Sequence, residues 1–340
     1  MTALHLLDPA PDVGGPHQPL LEVRNLTKHF PVRGPLWGAK PVARAVDGVS
    51  FAVAKGETLG VVGESGCGKS TTARLLMRLI NPDSGTLTFD GEAVGSKLGL
   101  SLRDLRRRVQ MVFQDSYASL NPRLTIADSL AFAPMVHGVS RRDAMAVAGE
   151  LLGRVGLAPE CFLGRYPHEL SGGQRQRVNI ARALALRPRL VILDEAVSAL
   201  DKSVEAQVLT LLLELKKQLD LTYIFISHDL NVVHYIADRV LVMYLGKVAE
   251  VGPVEAIYGN PAHPYTRALF SARLSMDPDE RTSAAPLQGD PPNPINPPSG
   301  CRFRTRCPHA TSLCAEREPA PVDLGGGHLV ACHLHEVAHG

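Results

Sequence analysis

The sequence predicts an α/β fold in which a parallel sheet is covered by helices. Two observations carry this. Short apolar runs alternate with helical patterns through the middle of the chain, and a glycine-rich phosphate loop joins one such run to the helix after it. The runs are TLGVVG at 58–63, VQMVFQ at 109–114, LVILDE at 190–195 and TYIFIS at 222–227. Their near-continuous apolar character is what strands buried on both faces require.

Residues 1–19 carry four prolines and little apolar material, which reads as a flexible leader. From Leu21 the pattern turns strand-like: Leu21 and Val23 alternate with Glu22 and Arg24, and Val49, Phe51 and Val53 repeat the alternation. A Pro/Gly-containing loop, about 31–41, lies between them. Arg141 to Val155 and Ser203 to Leu219 have helical spacing, with Val204, Val208, Leu211, Leu212 and Leu215 forming a core-packing stripe on the latter. Six prolines between Pro286 and Pro298 mark a linker, beyond which a small module begins at Cys301.

Composition narrows the function classes. With 340 residues, 45% hydrophobic and 21% charged, the chain is neither disordered nor fibrous. A formal charge of +2 gives no ground for a nucleic-acid partner. No apolar stretch approaches the ~20 residues needed to cross a bilayer, and MTALHLLDPAPD has no signal-peptide character, so a cytoplasmic chain is expected. The six cysteines are then thiols or metal ligands rather than disulfides.

The stretch Gly63–Ser70, GESGCGKS, carries the first chemistry. Gly63, Gly66 and Gly68 let backbone amides turn toward phosphate oxygens, and the helix start at Ser70 and Thr71 adds partial positive charge. Glu64, Ser65 and Cys67 complete the cradle. Lys69 supplies a full charge for the outer phosphates, and the Ser70 hydroxyl is a hard oxygen ligand for magnesium. Downstream, Asp194 and Glu195 end an apolar strand, Asp194 on the metal side and Glu195 placed to polarise water.

A second anion-binding helix terminus follows from LSGGQ at 170–174, where Ser171 is a good cap for the helix RQRVNIARALAL and Gly172, Gly173 and Gln174 open it. With both motifs in this order, the sequence resembles the ATP-binding cassette (ABC) ATPases. The resemblance implies a RecA-like core, an antiparallel β subdomain, a helical signature subdomain at about 115–186 and, in this chain, a Cys-rich C-terminal extension. It also implies that LSGGQ of one subunit covers ATP held by the phosphate loop of another. By position, Gln114 resembles the glutamine that contacts magnesium and water, Asp201 of SALD the loop linking two sites, His228 the switch histidine, and Phe30 the ring against adenine. Ala196 stands where the family usually has proline, which leaves the rigidity of that turn open.

AVDGVSF, MVFQDSYASLNPRLTI, RYPHELSGGQRQR and NPAHPYTRAL are similar to the oligopeptide and dipeptide importer subfamily, second ATPase subunit type. This implies a nucleotide-binding domain over 20–260 and an extension over 261–340. The implied partners are a different ATPase subunit, two membrane permeases and an external substrate-binding protein, placing the chain peripherally on the cytoplasmic face of the membrane. Nickel importers share the motifs. A soluble ABC ATPase acting on nucleic acid is the competing class, disfavoured by the short span between Lys69 and Asp194. The cysteines Cys301, Cys307, Cys314 and Cys332 lack the paired spacing of zinc fingers. The resemblance implies a [4Fe-4S] cluster there, with zinc and free thiols as alternatives.

Overall fold

A computed structural model describes residues 12–15, 18–32, 41–271 and 292–336. Most of the leader, most of the 31–41 loop and the first prolines of the linker lie outside the described residues.

In chain order the elements are β1 Leu21–Pro31, β2 Val42–Val53, β3 Thr58–Val62, α1 Lys69–Leu76, β4 Ser84–Phe89, β5 Glu92–Ala93, α2 Leu102–Arg108 and β6 Val109–Val112. Then come α3 Ile126–Val136, α4 Arg141–Arg154, α5 Pro159–Phe162, α6 Gly172–Leu184, β7 Leu190–Asp194, α7 Lys202–Leu219 and β8 Thr222–Ile226. The chain continues through α8 Leu230–Ile236, β9 Arg239–Tyr244, β10 Lys247–Pro253, α9 Val254–Gly259, α10 Pro264–Ser271, α11 Ser312–Glu316, β11 Val322–Asp323 and β12 Leu329–Val330. It divides into two compact units, one of Met1–Leu21, Val53–Thr58 and Thr88–Ser227, the other of Glu22–Ala52, Leu59–Leu87 and His228–Gly340.

In the first unit β6, β7 and β8 run parallel, with Val109 opposite Leu190 and Leu190 opposite Thr222. Every residue of β7 and β8 is buried, the both-faces burial that the unbroken apolar runs anticipated. Strand β6 stops at Val112, shorter than the VQMVFQ run, so Phe113 and Gln114 belong to the following loop. Each helix of the α3, α4 and α6 group starts on a side-chain cap: Thr125 accepts from Asp128, Ser140 from Asp143 and Ser171 from Gln174. On α7, four of the five stripe residues are buried, while Val204 is half-exposed. Asp90, fully buried, accepts from the Val13 N–H and pairs with Lys55 and Arg189. Burial alone would raise its pKa, but those bonds hold it down at about 2. Asp12 pairs with Lys55 too, tying the described part of the leader to this unit.

In the second unit β3 pairs in parallel with β9, and β9 turns into antiparallel β10 through Leu245–Gly246. Both turn residues have positive φ, 46° and 81°, the conformation a two-residue hairpin needs to match strand twist. Strand β12 adds to β10 and β11 to β12. The C-terminal segment is pinned by a buried carboxylate: Glu250 on β10 accepts from the Ala262 and His263 N–H groups and bonds to the His328 ring. The His263 Nδ1 accepts from the Tyr265 N–H at 2.9 Å.

Burial of His263, 3% exposed, pushes its pKa down to about 4 against the partial opposition of Glu250. The unfolded chain therefore binds a proton below about pH 6.5 that the folded chain refuses until about pH 4. Stability from this group is complete above pH 6.5 and falls as pH drops between those values, by about 3 kcal/mol in all. Urea denaturation at pH 7 and at pH 4.5 will show a smaller stability difference in His263→Gln than in the native chain; equal differences would remove His263 from the account.

Candidate functional site

The phosphate loop leaves fully buried β3 and enters α1. Gly63, at φ 148°, lies so close to β9 that an added Cβ would sit 2.2 Å from the Met243 carbonyl oxygen. Gly68, at φ 112°, is equally constrained, with the Ala45 carbonyl 2.3 Å from its would-be Cβ. These glycines are required by the protein's own backbone. Gly68, the residue before α1, has no side chain with which to cap it, and the helix start carries partial positive charge. Lys69, 6% exposed, donates from Nζ to the carbonyls of Gly63 at 2.7 Å and Glu64 at 3.1 Å, drawing the loop around its ammonium. Ser70 and Thr71 are half-buried; Ser65 and Gly66 are exposed. Cys67 is buried, and burial pushes its thiol pKa up, so it serves as packing rather than as a nucleophile.

Glu64 is held by residues that sequence reasoning missed. Its N–H donates to the Tyr265 hydroxyl at 2.9 Å, and its carboxylate takes a two-pronged bond from Arg306 at 2.9 and 3.0 Å. Tyr265 falls within NPAHPYTRAL, a stretch read only as a family signature; Arg306, 242 residues away, leaves no local signal. Phe30 is 36% exposed at the end of β1, with Lys28 Nζ 5.6 Å from its ring centroid, so it is a surface ring and not a core one. His228 is exposed ahead of α8, whose N-terminus Asp229 caps.

In the first unit, Gln114, Asp194 and Glu195 gather at the carboxyl ends of β6 and β7, where ligands of parallel α/β sheets are received. Asp194 is 3% exposed. Glu195 is a non-glycine residue in the left-handed region, at φ 48°. That conformation turns its carboxylate off the strand, where the Gln114 side-chain amide donates to Oε2 at 2.6 Å. The Glu195 N–H donates to the Ile226 carbonyl at 3.0 Å, and the Ser198 hydroxyl donates to the Glu195 carbonyl at 3.0 Å. The turn that proline was expected to stiffen is thus braced by hydrogen bonds around buried Ala196.

At the start of α6 Ser171 and Gln174 form a reciprocal capping box, Ser171 N–H to Gln174 at 3.0 Å and Gln174 N–H to Ser171 at 3.3 Å. Gly172 and Gly173 occupy the first turn. A Cβ at Gly173 would meet Val204 Cγ1 at 2.5 Å, so this glycine lets α6 approach α7. Asp201 precedes α7, exposed, its side chain not used as a cap.

The four C-terminal cysteines are neighbours. Burial first, then the other three thiols, push Cys301 up to about 11. Cys332 is raised by burial and by Cys307 and Cys314, and Cys307 by burial and by Cys314, so every pair interacts. Backbone hydrogen bonding at Phe303, His309 and Leu334 partly offsets that rise at Cys301, Cys307 and Cys332. Among the described residues, however, no three His, Cys, Asp or Glu side chains converge closely enough to hold a metal ion.

Comparison with known proteins adds independent findings. The ABC transporter family matches residues 46–198, and the oligopeptide/dipeptide transporter C-terminal region matches 249–314. The chain is 52% identical over 318 residues to a probable peptide ABC transporter ATP-binding protein, y4tS, of Sinorhizobium fredii, covering 93% of this chain and 90% of that one. It is 49% identical over 325 residues to the oligopeptide transport ATP-binding protein AppF of Bacillus subtilis, covering 93% and 97%. Among solved structures, cbiO1 of Clostridium perfringens, part of the ABC transporter complex cbiONQ, superposes with a TM-score of 0.60 at 28% identity, covering 71% of this chain and 91% of that one. The dimeric ATP-binding cassette MJ0796 bound to ADP and Pi superposes with a TM-score of 0.58 at 27% identity, covering 69% and 98%.

The close approach at Gly63 makes a direct prediction. Gly63→Ala will lower stability by about 2–3 kcal/mol, because the loop must retreat from Met243 or distort. Urea denaturation measures this; an unchanged midpoint would show that the backbone yields freely.

Proposed function

Since the chain belongs to the ABC transporter ATP-binding proteins, in their oligopeptide/dipeptide branch, we propose that it hydrolyses ATP to power peptide import through a membrane complex. Lys69 and the amides of Gly63–Thr71 take the phosphates, Phe30 takes the adenine face, and Ser171, Gly172, Gly173, Gln174 and Asp201 present the surface that closes on nucleotide held by a companion subunit. Ser70, Gln114 and Asp194 are the hard oxygen donors suited to magnesium, which supplies charge neutralisation for phosphoryl transfer when bound.

Glu195 carries the reading. A carboxylate at a strand end, turned outward by a left-handed backbone and oriented by the Gln114 amide, supports a role in aligning water on a terminal phosphate. His228 adds a switchable contact to that phosphate. The companion is a second, different ATPase subunit. Two permeases and an external binding protein complete the complex, and the segment between Gln114 and Ser171 offers the permeases a helical groove. No helix among the described residues is long and apolar enough to cross a membrane; the family membership is what supports peripheral attachment at the cytoplasmic face.

We also propose a [4Fe-4S] cluster at Cys301, Cys307, Cys314 and Cys332, as the resemblance implies. Four soft thiol donors in one terminal segment, where the Cys301 N–H donates to the Cys314 carbonyl at 2.8 Å, are the ligand type such a cluster takes, although among the described residues no three such side chains converge closely enough to hold a metal ion. Such a cluster would cross-link a module with little regular structure of its own.

Glu195→Gln will keep ATP binding but hydrolyse ~10²–10⁴-fold more slowly, and will accumulate an ATP-dependent dimer on size exclusion beside its companion subunit. Turnover at the native rate would sink the assignment. For the cysteines, anaerobically prepared protein will carry about four irons and matching sulfide per chain, lost in Cys314→Ala; iron-free protein would refute the cluster.

A further inference from the structure

The C-terminal cysteine module reaches the phosphate loop directly. Between Cys301 and Cys307 the chain winds through turns, and three side chains of this short stretch anchor it. Arg302 bonds to the Leu245 carbonyl and the Asp47 carboxylate. Phe303, buried, packs edge-on against Tyr244 at 5.3 Å and tilted against Tyr265 at 5.5 Å. Arg306, its side chain 5% exposed, forks onto Glu64 and lies 6.0 Å from the Tyr244 ring centroid.

Consequently each polar group of Glu64 is engaged: the N–H by Tyr265, the carbonyl by Lys69 and the carboxylate by Arg306. The other end of the loop is gripped as well, because the Gly246 N–H donates to the Cys67 carbonyl at 2.8 Å, next to the Leu245 carbonyl that Arg302 holds. Glu64 is the one acidic side chain of GESGCGKS. Unpaired, a carboxylate there would repel a triphosphate and compete for Lys69; paired with a buried guanidinium, it is neutralised and turned aside.

We propose that Arg306 is a positioning residue for the nucleotide: by clamping Glu64 it makes the affinity of the phosphate loop for ATP depend on the folded state of the four-cysteine module. The inference rests on the ATP-binding role assigned above and extends it to a segment that touches no phosphate. Cys307, adjacent to Arg306, is where the module's thiol framework meets this clamp.

Equilibrium titration of the full chain with a fluorescent ATP analogue and magnesium, at fixed ionic strength, tests it. Arg306→Met will weaken binding about tenfold or more. Adding Glu64→Gln to Arg306→Met will return the affinity to within about threefold of native, because the unneutralised charge is gone. Cys307→Ala will weaken binding in the native background and add less than about twofold in the Arg306→Met background. Circular dichroism and melting midpoints identify variants that retain the fold. Native affinity in a folded Arg306→Met, or no recovery in a folded double variant, would overturn the clamp, and full additivity with Cys307→Ala would overturn its link to the module. Lys69→Ala separates the two levels of the argument: if the native chain binds no analogue, or Lys69→Ala binds it equally well, the ATP reading itself fails.

Discussion

A backbone-to-backbone approach sets the terms for the phosphate loop. Strand β3 runs parallel to β9 with Val62 opposite Val242, so the next residue, Gly63, meets the Met243 carbonyl at a separation that leaves no room for a side chain. The positive φ of 148° at this point is one that a residue with a side chain rarely adopts. Lys69 can then bond back to Gly63 and Glu64, and the hairpin residue Gly246 can reach Cys67. Without that approach the same eight residues would be an exposed glycine-rich turn.

The carboxylates of the first unit obey a comparable constraint. Parallel strands end together, and their last residues are where the pleat no longer dictates side-chain direction. Asp194 is the last strand residue and stays buried; Glu195 is the first beyond it and adopts a left-handed conformation costing about 1–3 kcal/mol. Bonds to Ile226, Ser198 and Gln114 offset that cost and hold one orientation. Ala196 therefore does not leave the turn slack, since the bracing comes from hydrogen bonds rather than from a proline ring.

Much of this was legible from the residues alone. The apolar runs became β3, β6, β7 and β8, the helical spacings became α4 and α7, and Ser171 caps α6. These succeed because periodicity and capping are local: a strand, a helix or a cap is decided by neighbours within a turn or two. The reading failed where the decisive partner is distant. The VQMVFQ run overshot β6, since Phe113 and Gln114 are diverted into a loop. Nothing in HPYT or CRFRTRC announces that Tyr265 and Arg306 meet on Glu64, and nothing around Glu250, in the middle of β10, announces that His263 and His328 close around it.

Residue types and their order along the chain set the chemistry available: a phosphate loop with its lysine, a serine-capped helix behind LSGGQ, an Asp-Glu pair at the end of an apolar strand, and four thiols in one terminal segment. Tertiary structure alone decided which charges are neutralised and by whom. Glu64 and Arg306 stand 242 positions apart, and Glu250 and His328 stand 78 apart. Such pairings depend on how strands stack and where loops return, and no pattern along the chain encodes the distance between two residues that only folding brings together.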